Sequence, residues 1–327
     1  MSPHTPSGSA RRPAWLASPP PTTALEISSR RVAAVGITGQ GSGLAVAGYG
    51  SADLPDGAVE PQLNGVNVHD PAALAAAIGT ALGSISPRPK RVALVLPDTI
   101  AKVSLIRFEK APDRAQDLDQ LIRWQVRKAA PFHLEDAQLA WIPGAAAADG
   151  AGREYIVTVA RRDVVASYER ACAAAGVYAG LVDLASFNLM NTVLATSPAA
   201  AGDWLLVHVG DDYATLAVVR GQDLVFFRNR SEGGVEELTD LVHQTAMYHE
   251  DRLGGGGFSR VVIAGAARRG ADEAELMRRR LEDRLQAKVE PIDFRTGVPI
   301  RDRIAASPDL LDSLAPGLGI LLRERVA

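Results

Sequence analysis

LEISSRRVAAV, at residues 25–35, and LLVHVGDDYATLAVVRGQDLVFF, at residues 205–227, share one pattern. In each stretch an apolar strand meets a turn of small or acidic residues, and a second apolar strand leaves it. The polar turn of such a hairpin is a place where a phosphate group can bind. Two hairpins of this kind, about 180 residues apart, predict two related lobes that face a nucleotide-sized cleft.

The composition predicts a soluble globular protein. The chain has 327 residues, enough for two domains, with 47% hydrophobic and 22% charged residues. A net charge of −3 argues against nucleic-acid binding, which needs a basic surface. No apolar run approaches the roughly 18–20 residues that span a bilayer. The single cysteine, Cys172, cannot form an internal disulfide, which fits a reducing cytoplasm.

The chain divides into a leader and two lobes. Residues 1–23 are rich in Pro, Ser and Thr and predict a disordered leader. A Pro/Ala/Gly stretch at residues 197–202 separates a first lobe, 24–200, from a second lobe, 201–327. Strands and one helix at about residues 98–160 form a distinct unit inside the first lobe. Each lobe has a three-strand meander, then a helix and a further strand, which predicts an α/β fold with an internal duplication.

Three further segments carry a family resemblance. Residues 121–136 (LIRWQVRKAAPFHLED) form a helix that ends in Pro-Phe before an acidic turn, residues 155–183 follow it, and residues 314–323 (LAPGLGILLR) form a closing helix. From residue 24 onward the chain resembles the PilM family of type IV pilus assembly proteins, in the actin-like ATPase superfamily that also includes FtsA. The resemblance implies an actin-like, ribonuclease-H-like duplicated fold: two lobes with an inserted FtsA-type small subdomain. The closing helix could pack back on the first lobe.

The first nucleotide element of the family departs from its pattern here. PilM-like proteins usually show Asp-Ile-Gly-Ser-Ser, with a lysine a few residues on. In this chain four of those five positions are occupied by Glu26, Ser28, Ser29 and Arg30. The position of the lysine is occupied by Ala33. Glycine lets backbone N–H groups approach a phosphate closely, and the Cβ of a serine hinders that approach. The cation could come from Arg30 or its neighbour, or both arginines could be solvated charges at a strand edge.

The second element, Asp-x-Gly-x-x-x-Thr in the family, becomes His208, Gly210 and, with a one-residue slip, Thr215. The family's carboxylate holds hydrated Mg²⁺, whereas a neutral histidine suits softer metals. Asp211 or Asp212 could reach the metal instead. The sequence favours a buried, hydrogen-bonded His208 over a metal ligand.

The third element is the adenosine turn, Gly-Gly in the family and Gly265 followed by Ala266 here. Gly233 and Gly234 match another family Gly-Gly and could flank the phosphates or be ordinary turn glycines. The resemblance implies ATP with Mg²⁺ as cofactor. The departures predict weak or absent hydrolysis, since phosphoryl transfer needs a metal site and donors around the phosphate. Nucleotide binding without turnover and no binding at all both stay open, and no catalytic residue is predicted.

The resemblance also implies a partner. In PilM-like proteins the inserted subdomain helps to form a groove for the short N-terminal cytoplasmic peptide of PilN, a bitopic inner-membrane protein. Capture of an extended peptide by a sheet edge with side-chain pockets is physically reasonable for such a unit. The alternative is that the apolar residues of the subdomain form its own core. The expected peptide-binding residues are Leu105, Phe108, Leu121, Trp124 and Phe132.

Three functions are compatible with these residues. The first is a cytoplasmic adaptor, held at the inner membrane through its partner and able to self-associate. The second is an ATP-hydrolysing switch like FtsA. The third is a sugar-kinase-like enzyme, for which Glu26 is the only candidate base in a suitable turn.

Overall fold

The computed structural model describes residues 20–146, 152–231, 234–301 and 306–323. The first strand begins at Thr23, one residue inside the predicted leader, and residues 1–19 of that leader lie outside the described ranges.

Thirteen strands and seven α-helices make up the described chain. In chain order they are β1 (Thr23–Ile27), β2 (Arg31–Thr38), β3 (Ala45–Asp53), α1 (Pro71–Leu82), β4 (Arg91–Leu96), β5 (Ala101–Phe108), α2 (Ala115–Arg127), β6 (Ala137–Ala146), β7 (Arg153–Arg161), α3 (Arg162–Ala174), β8 (Tyr178–Leu184), α4 (Ala185–Thr196), β9 (Trp204–Val209), β10 (Tyr213–Arg220), β11 (Asp223–Ser231), α5 (Val235–Leu253), β12 (Arg260–Ala264), α6 (Ala271–Leu285), β13 (Val289–Pro291) and α7 (Pro308–Leu322).

Two five-stranded sheets repeat one topology. Their strand orders are β3-β2-β1-β4-β8 and β11-β10-β9-β12-β13. In both sheets the first three strands in sequence form an antiparallel meander, and the next two add in parallel. The two predicted hairpins are therefore β1–β2 and β9–β10. This repeat confirms the predicted duplicated, two-lobed α/β fold of the actin-like class.

Helices cover both faces of the sheets, which explains the nearly continuous apolar runs of the central strands. Helices α1 and α3 pack on the outer face of the first sheet, and α5 and α6 pack on the outer face of the second. The start of α1 follows from its sequence. Pro71 occupies the first turn, and the Asp70 carboxylate accepts hydrogen bonds from the N–H groups of Ala72 and Ala73.

The inserted subdomain is an antiparallel sheet, β5-β7-β6, with α2 on one face. Leu118, Ile122 and Val126 on α2 pack against Val157 of the central strand. The opposite face of this sheet, which includes Ile156, joins the core between the lobes. The subdomain is therefore attached to the rest of the molecule through one face.

The inner faces of the two main sheets meet a helix pair, α4 and α7, in one hydrophobic core. These helices approach closely because α7 carries glycine at the crossing. A Cβ atom at Gly319 would overlap the backbone carbonyl of Asn188. The Thr192 hydroxyl donates to the Ala315 carbonyl over 2.7 Å across the same contact. Helix α7, although last in the chain, thus packs against the first lobe.

Helix α7 also contacts the second lobe through Asp312. Its Oδ2 atom accepts a hydrogen bond of 2.8 Å from the N–H of Ala267, in the turn after β12. Asp312 is only 5% exposed, and this burial raises the pKa of its carboxyl to about 6.

We expect Gly319→Ala to lower the free energy of unfolding by about 3 kcal/mol or more, because the new methyl group must push α7 away from backbone atoms of α4. Gly79→Ala is the matched control. Gly79 lies inside α1 with open space around its missing Cβ, so that alanine should stabilise the protein by about 0.5–1 kcal/mol. Calorimetric melting of both variants tests the contact, and an unchanged melting temperature for Gly319→Ala would contradict it.

A second prediction concerns pH. The folded-state pKa of Asp312 lies above its ordinary value of 3.8, so its contribution to stability is complete below about pH 4 and is lost as the pH rises through 6. An asparagine side chain at this position cannot ionise but keeps an acceptor for Ala267. Asp312→Asn should therefore be more stable than the wild type by about 1–3 kcal/mol at pH 8, and the difference should shrink towards pH 5. Denaturant unfolding at both pH values measures it; a difference independent of pH would refute the explanation.

Candidate functional site

The turns of the two predicted hairpins face each other across the interlobe cleft. A cavity of about 180 Å³ lies between them and is lined from both lobes. Four of the predicted nucleotide-binding residues line it: Ser28, Ser29, Gly210 and Asp211.

The first hairpin turn presents its donors to carboxylates of the second. The Ser29 hydroxyl lies 3.1 Å from Asp211 Oδ2 and 2.7 Å from Asp212 Oδ2. The backbone N–H of Arg30 donates to Asp211 Oδ2 over 3.2 Å. The side chain of Ser28 instead accepts from the N–H of Arg31 within its own turn. Arg30 thus contributes its backbone N–H to the cleft.

A buried arginine, Arg268, crosses the cleft from the turn after β12. Its guanidinium donates to Glu26 Oε1 over 3.1 Å, to Ser28 Oγ over 3.2 Å and to Asp211 Oδ1 over 3.1 Å. The side chains of Arg268, Glu26 and Asp211 are 8%, 7% and 13% exposed, respectively. Water therefore screens these ion pairs little.

The two cleft charges stabilise each other. Burial opposes ionisation of Asp211, yet Arg268 and hydrogen bonds from the first hairpin hold the pKa of its carboxyl below the usual value. Burial also disfavours the charged form of Arg268, but Glu26 and Asp211 outweigh it and raise the pKa of the guanidinium. Asp211 and Arg268 are thus both charged at neutral pH.

A second polar cluster forms the floor of the cleft around Asp98. Its Oδ1 accepts from the N–H of Ser186 over 3.0 Å, and its Oδ2 accepts from the hydroxyls of Thr215, at 2.7 Å, and Ser186. His208 Nδ1 lies 2.9 Å from Ser186 Oγ and 3.4 Å from Asp98 Oδ2. Asp98 and Ser186 belong to the first lobe, whereas His208 and Thr215 belong to the second.

This floor cluster explains why His208 and Thr215 are buried and hydrogen-bonded. Burial opposes ionisation of Asp98, yet hydrogen bonds from His208 and Ser186, together with the interaction with His208, hold its pKa below the usual value. His208 is 2% exposed and has the buried, hydrogen-bonded position that the sequence favoured. Thr215 is fully buried and bonds to Asp98, so it has a structural partner already.

An aromatic ring fills part of the cleft beside Gly210. Tyr213 packs edge-on against His208 with ring centroids 5.3 Å apart, and its hydroxyl accepts from the N–H of Asp98 over 3.3 Å. A Cβ at Gly210 would overlap this ring. The glycine is therefore required by the packing of Tyr213.

Three further predicted turn residues, Gly234, Gly265 and Ala266, are not part of the cavity lining. Gly265 has φ +87°, and a Cβ there would overlap the carbonyl of Val209, so this position needs glycine. Ala266 is buried in the core of the second lobe. Gly234, with φ +134°, precedes α5, and Gly233 lies outside the described residues.

These residues do not fit ATP with Mg²⁺. The space directly between the hairpin turns, about 180 Å³, is smaller than the roughly 300 Å³ at the low end of small-molecule pockets, and a second pocket of about 400 Å³ adjoins it at Ser29, Pro61 and Asp212. The donors of the first hairpin already bind Asp211 and Asp212.

A second concave site lies between the subdomain and the first lobe. This groove, of about 420 Å³, is lined mainly by apolar side chains of β6, β8 and α4. Ile142 on β6 and Leu194 on α4 are 59% and 39% exposed in it. Strand β8 is the last strand of the first sheet, and β6 is the last strand of the subdomain sheet. Two strand edges therefore border one apolar groove. Among the residues that line it are Ile142, Ile156, Leu181, Phe187, Met190 and Leu194.

The predicted peptide-binding residues do not share one surface. Phe108 and Phe132 pack in the subdomain's hydrophobic core. Leu105 lies on the opposite face of the same sheet, paired with Ile156 of the groove. Trp124 is 59% exposed on α2, with the Lys128 ammonium 5.3 Å from its ring. Leu121 is half-buried on the same helix.

Sequence reasoning missed Arg268 and Asp98, the centres of the two cleft clusters. The signal for Arg268 was weak, an Arg-Arg pair three residues after Gly265. The signal for Asp98 was better, because it follows the buried strand β4 after Pro97. Ligand-binding residues commonly lie at the carboxyl ends of such parallel strands.

None of the helices in the described ranges combines the length and the apolar character that crossing a membrane requires.

The chain is similar to known proteins in both sequence and structure. The sequence model of the family described as type IV pilus assembly protein PilM matches residues 24–252. A solved PilM–PilN type IV pilus biogenesis complex matches with a TM-score of 0.78 and 20% identity, over 92% of this chain and 98% of that chain. A search among curated proteins found no match.

More distant structures are similar at lower scores. A Bacteroides thetaiotaomicron protein with an actin-like ATPase fold has a TM-score of 0.47 at 9% identity, over 83% of this chain and 90% of that chain. The cytoplasmic domain of EpsL from the type II secretion system of Vibrio cholerae has a TM-score of 0.46 at 12% identity, over 74% and 80%. The family match covers well over half of the sequence, and the chain therefore belongs to the PilM family of type IV pilus assembly proteins.

Proposed function

We propose that this PilM-family protein is a cytoplasmic adaptor of a type IV pilus inner-membrane platform. Its groove between β6, β8 and α4 binds the N-terminal cytoplasmic peptide of a PilN-like bitopic partner, which holds the protein at the membrane. The observation that carries this proposal is the apolar groove bordered by two strand edges. The similar solved structure is of a PilM–PilN complex, which supports the class of partner.

The groove suits an extended segment for two reasons. A strand edge offers unpaired N–H and C=O groups to which a peptide can add as a further strand. Alternate side chains of such a peptide then point to one side, where Leu181, Phe187 and Met190 form an apolar surface. The backbone hydrogen bonds supply affinity, and these apolar contacts supply specificity.

Polar side chains also line the groove. Asp183 and Arg323 line it and form an ion pair, with Oδ2 and Nη1 2.7 Å apart. Asn191 and Gln222 also contribute to the lining. These polar groups can bind polar side chains or free backbone groups of a peptide, beside its apolar contacts.

The cleft geometry favours an adaptor over an enzyme. Glu26, the only candidate kinase base in the first hairpin, is engaged by Arg268 at 3.1 Å. A general base must lie within hydrogen-bond reach of the proton that it abstracts, whereas Glu26 faces the guanidinium of Arg268 across the cleft. The proposal therefore includes a cleft that does not turn over ATP.

Leu194→Asp should weaken binding of the partner's cytoplasmic peptide at least ten-fold, because it places a charge in the apolar groove. Leu276→Asp is the control. Leu276 is a comparably exposed helical leucine, at 47% against 39%, and lies on α6 in the second lobe. Fluorescence anisotropy with a labelled N-terminal peptide of the PilN-like protein from the same organism measures both. Equal affinity of the two variants would overturn the assignment of the groove.

The wild-type protein should show no steady release of phosphate from ATP with Mg²⁺ above the rate measured without Mg²⁺. The physical reason is that Asp211 and Arg268 occupy the cleft and that His208 is bound within the floor cluster. Phosphate release and calorimetric titration are the measurements. Micromolar affinity together with steady turnover would contradict this part of the proposal.

A further inference from the structure

We propose that the two lobes are held closed by a ligand built into the chain, the Asp211 carboxylate, which occupies an anion site formed by Ser29, Arg30 and Arg268. This inference goes beyond the adaptor function and does not depend on the groove or on any partner.

The anion site combines donors from both lobes. Ser29 Oγ and the N–H of Arg30 reach Asp211 Oδ2 from the first lobe, at 3.1 and 3.2 Å. The single hydroxyl hydrogen of Ser29 is shared with Asp212 Oδ2, at 2.7 Å. Arg268 reaches Asp211 Oδ1 at 3.1 Å from the second lobe. A hydroxyl, a backbone N–H at a turn and a guanidinium are a typical set of donors for an anion. Both oxygens of the Asp211 carboxylate are bound.

Arg268 makes the opposite crossing. From the second lobe, its guanidinium bonds to Glu26 and Ser28 of the first lobe at 3.1 and 3.2 Å. Asp211 and Arg268 therefore each reach across the cleft while they also bond to each other. We call Glu26, Ser29, Asp211 and Arg268 the interlobe network.

The interlobe network differs from an ordinary surface ion pair. Exposed pairs contribute little because water and salt screen them, whereas the charged groups here are at most 13% exposed. Removing one member of a buried, hydrogen-bonded charge network leaves its partners unpaired, which is strongly unfavourable. The network is consequently expected to favour the closed arrangement.

The consequence is a closed cleft that needs no nucleotide. An incoming phosphate group would compete with Asp211 for the same donors, and its negative charge would repel the displaced carboxylate. The ring of Tyr213, which packs against His208 beside Gly210, further restricts access. The conformation of this protein should thus be insensitive to ATP.

Hydrogen exchange at the Arg30 amide reports directly on the anion site, because that N–H binds Asp211. In the wild type we expect slow exchange that is unchanged by ATP with Mg²⁺. In Asp211→Asn we expect exchange at least ten-fold faster, since the neutral amide binds Arg268 and the first hairpin more weakly. The measurement uses the full chain and resolves single amides by NMR.

Asp223→Asn is the matched control, because it removes an exposed carboxylate from the same lobe, at the first residue of β11. Its Arg30 amide should exchange as in the wild type. Equal exchange in Asp211→Asn and Asp223→Asn would overturn the proposal, as would slower wild-type exchange on addition of ATP with Mg²⁺.

A second measurement needs no change in the interlobe network. Spin labels at Ala76→Cys on α1 and Glu237→Cys on α5, both exposed positions, report the distance between the lobes. The native Cys172 is buried, and burial raises the pKa of its thiol to about 12, so the introduced thiols react selectively. We expect one narrow distance distribution, with or without ATP. A broad distribution that narrows with ATP would refute a built-in ligand, whatever the outcome of the groove experiment.

Discussion

The close crossing of α4 and α7 is the contact on which the rest of the structure depends. These two helices lie between the inner faces of both sheets, so their separation sets how near the lobes can approach. Gly319 permits that separation, because any side chain there would meet the carbonyl of Asn188. A shared core of this kind transmits strain because protein interiors are close-packed. The absence of a side chain at Gly319 therefore helps to fix the geometry of the cleft above this core.

The polar clusters of the cleft build on that crossing. Helix α4 begins at Ala185, and Ser186 in its first turn binds Asp98 through both its N–H and its hydroxyl. Asp98 in turn meets Thr215 and His208 of the second lobe. At the other side, Asp312 of α7 holds the turn that precedes Arg268. One helix pair thus positions both sets of interlobe contacts.

The apolar and polar periodicity of the sequence was enough to predict the fold, but it did not predict which residues meet in the cleft. The two hairpins and the repeated three-strand meander follow from local patterns and appear as expected. The contacts between cleft residues do not follow from local patterns. Asp211 and Ser29 are 182 residues apart in the sequence, and Arg268 and Glu26 are 242 residues apart. Such contacts depend on how the lobes dock. Apolar periodicity on α2 likewise indicated a buried face, but it could not distinguish a subdomain core from a peptide groove.

The cleft and the groove both contain hydrogen-bonding groups at the turns or edges of strands, but they differ in what those groups face. At the cleft, the polar donors of a hairpin turn are satisfied within the chain by Asp211 and Asp212, so a ligand would have to displace these carboxylates. At the groove, the edges of β6 and β8 border an exposed apolar surface. Buried polar groups need partners, and exposed strand edges readily acquire them. In the proposed closed arrangement the groove keeps one shape, because Val219 and Leu224 of the second lobe also line it. A preformed groove loses less entropy when it orders an extended peptide, as our proposed function requires.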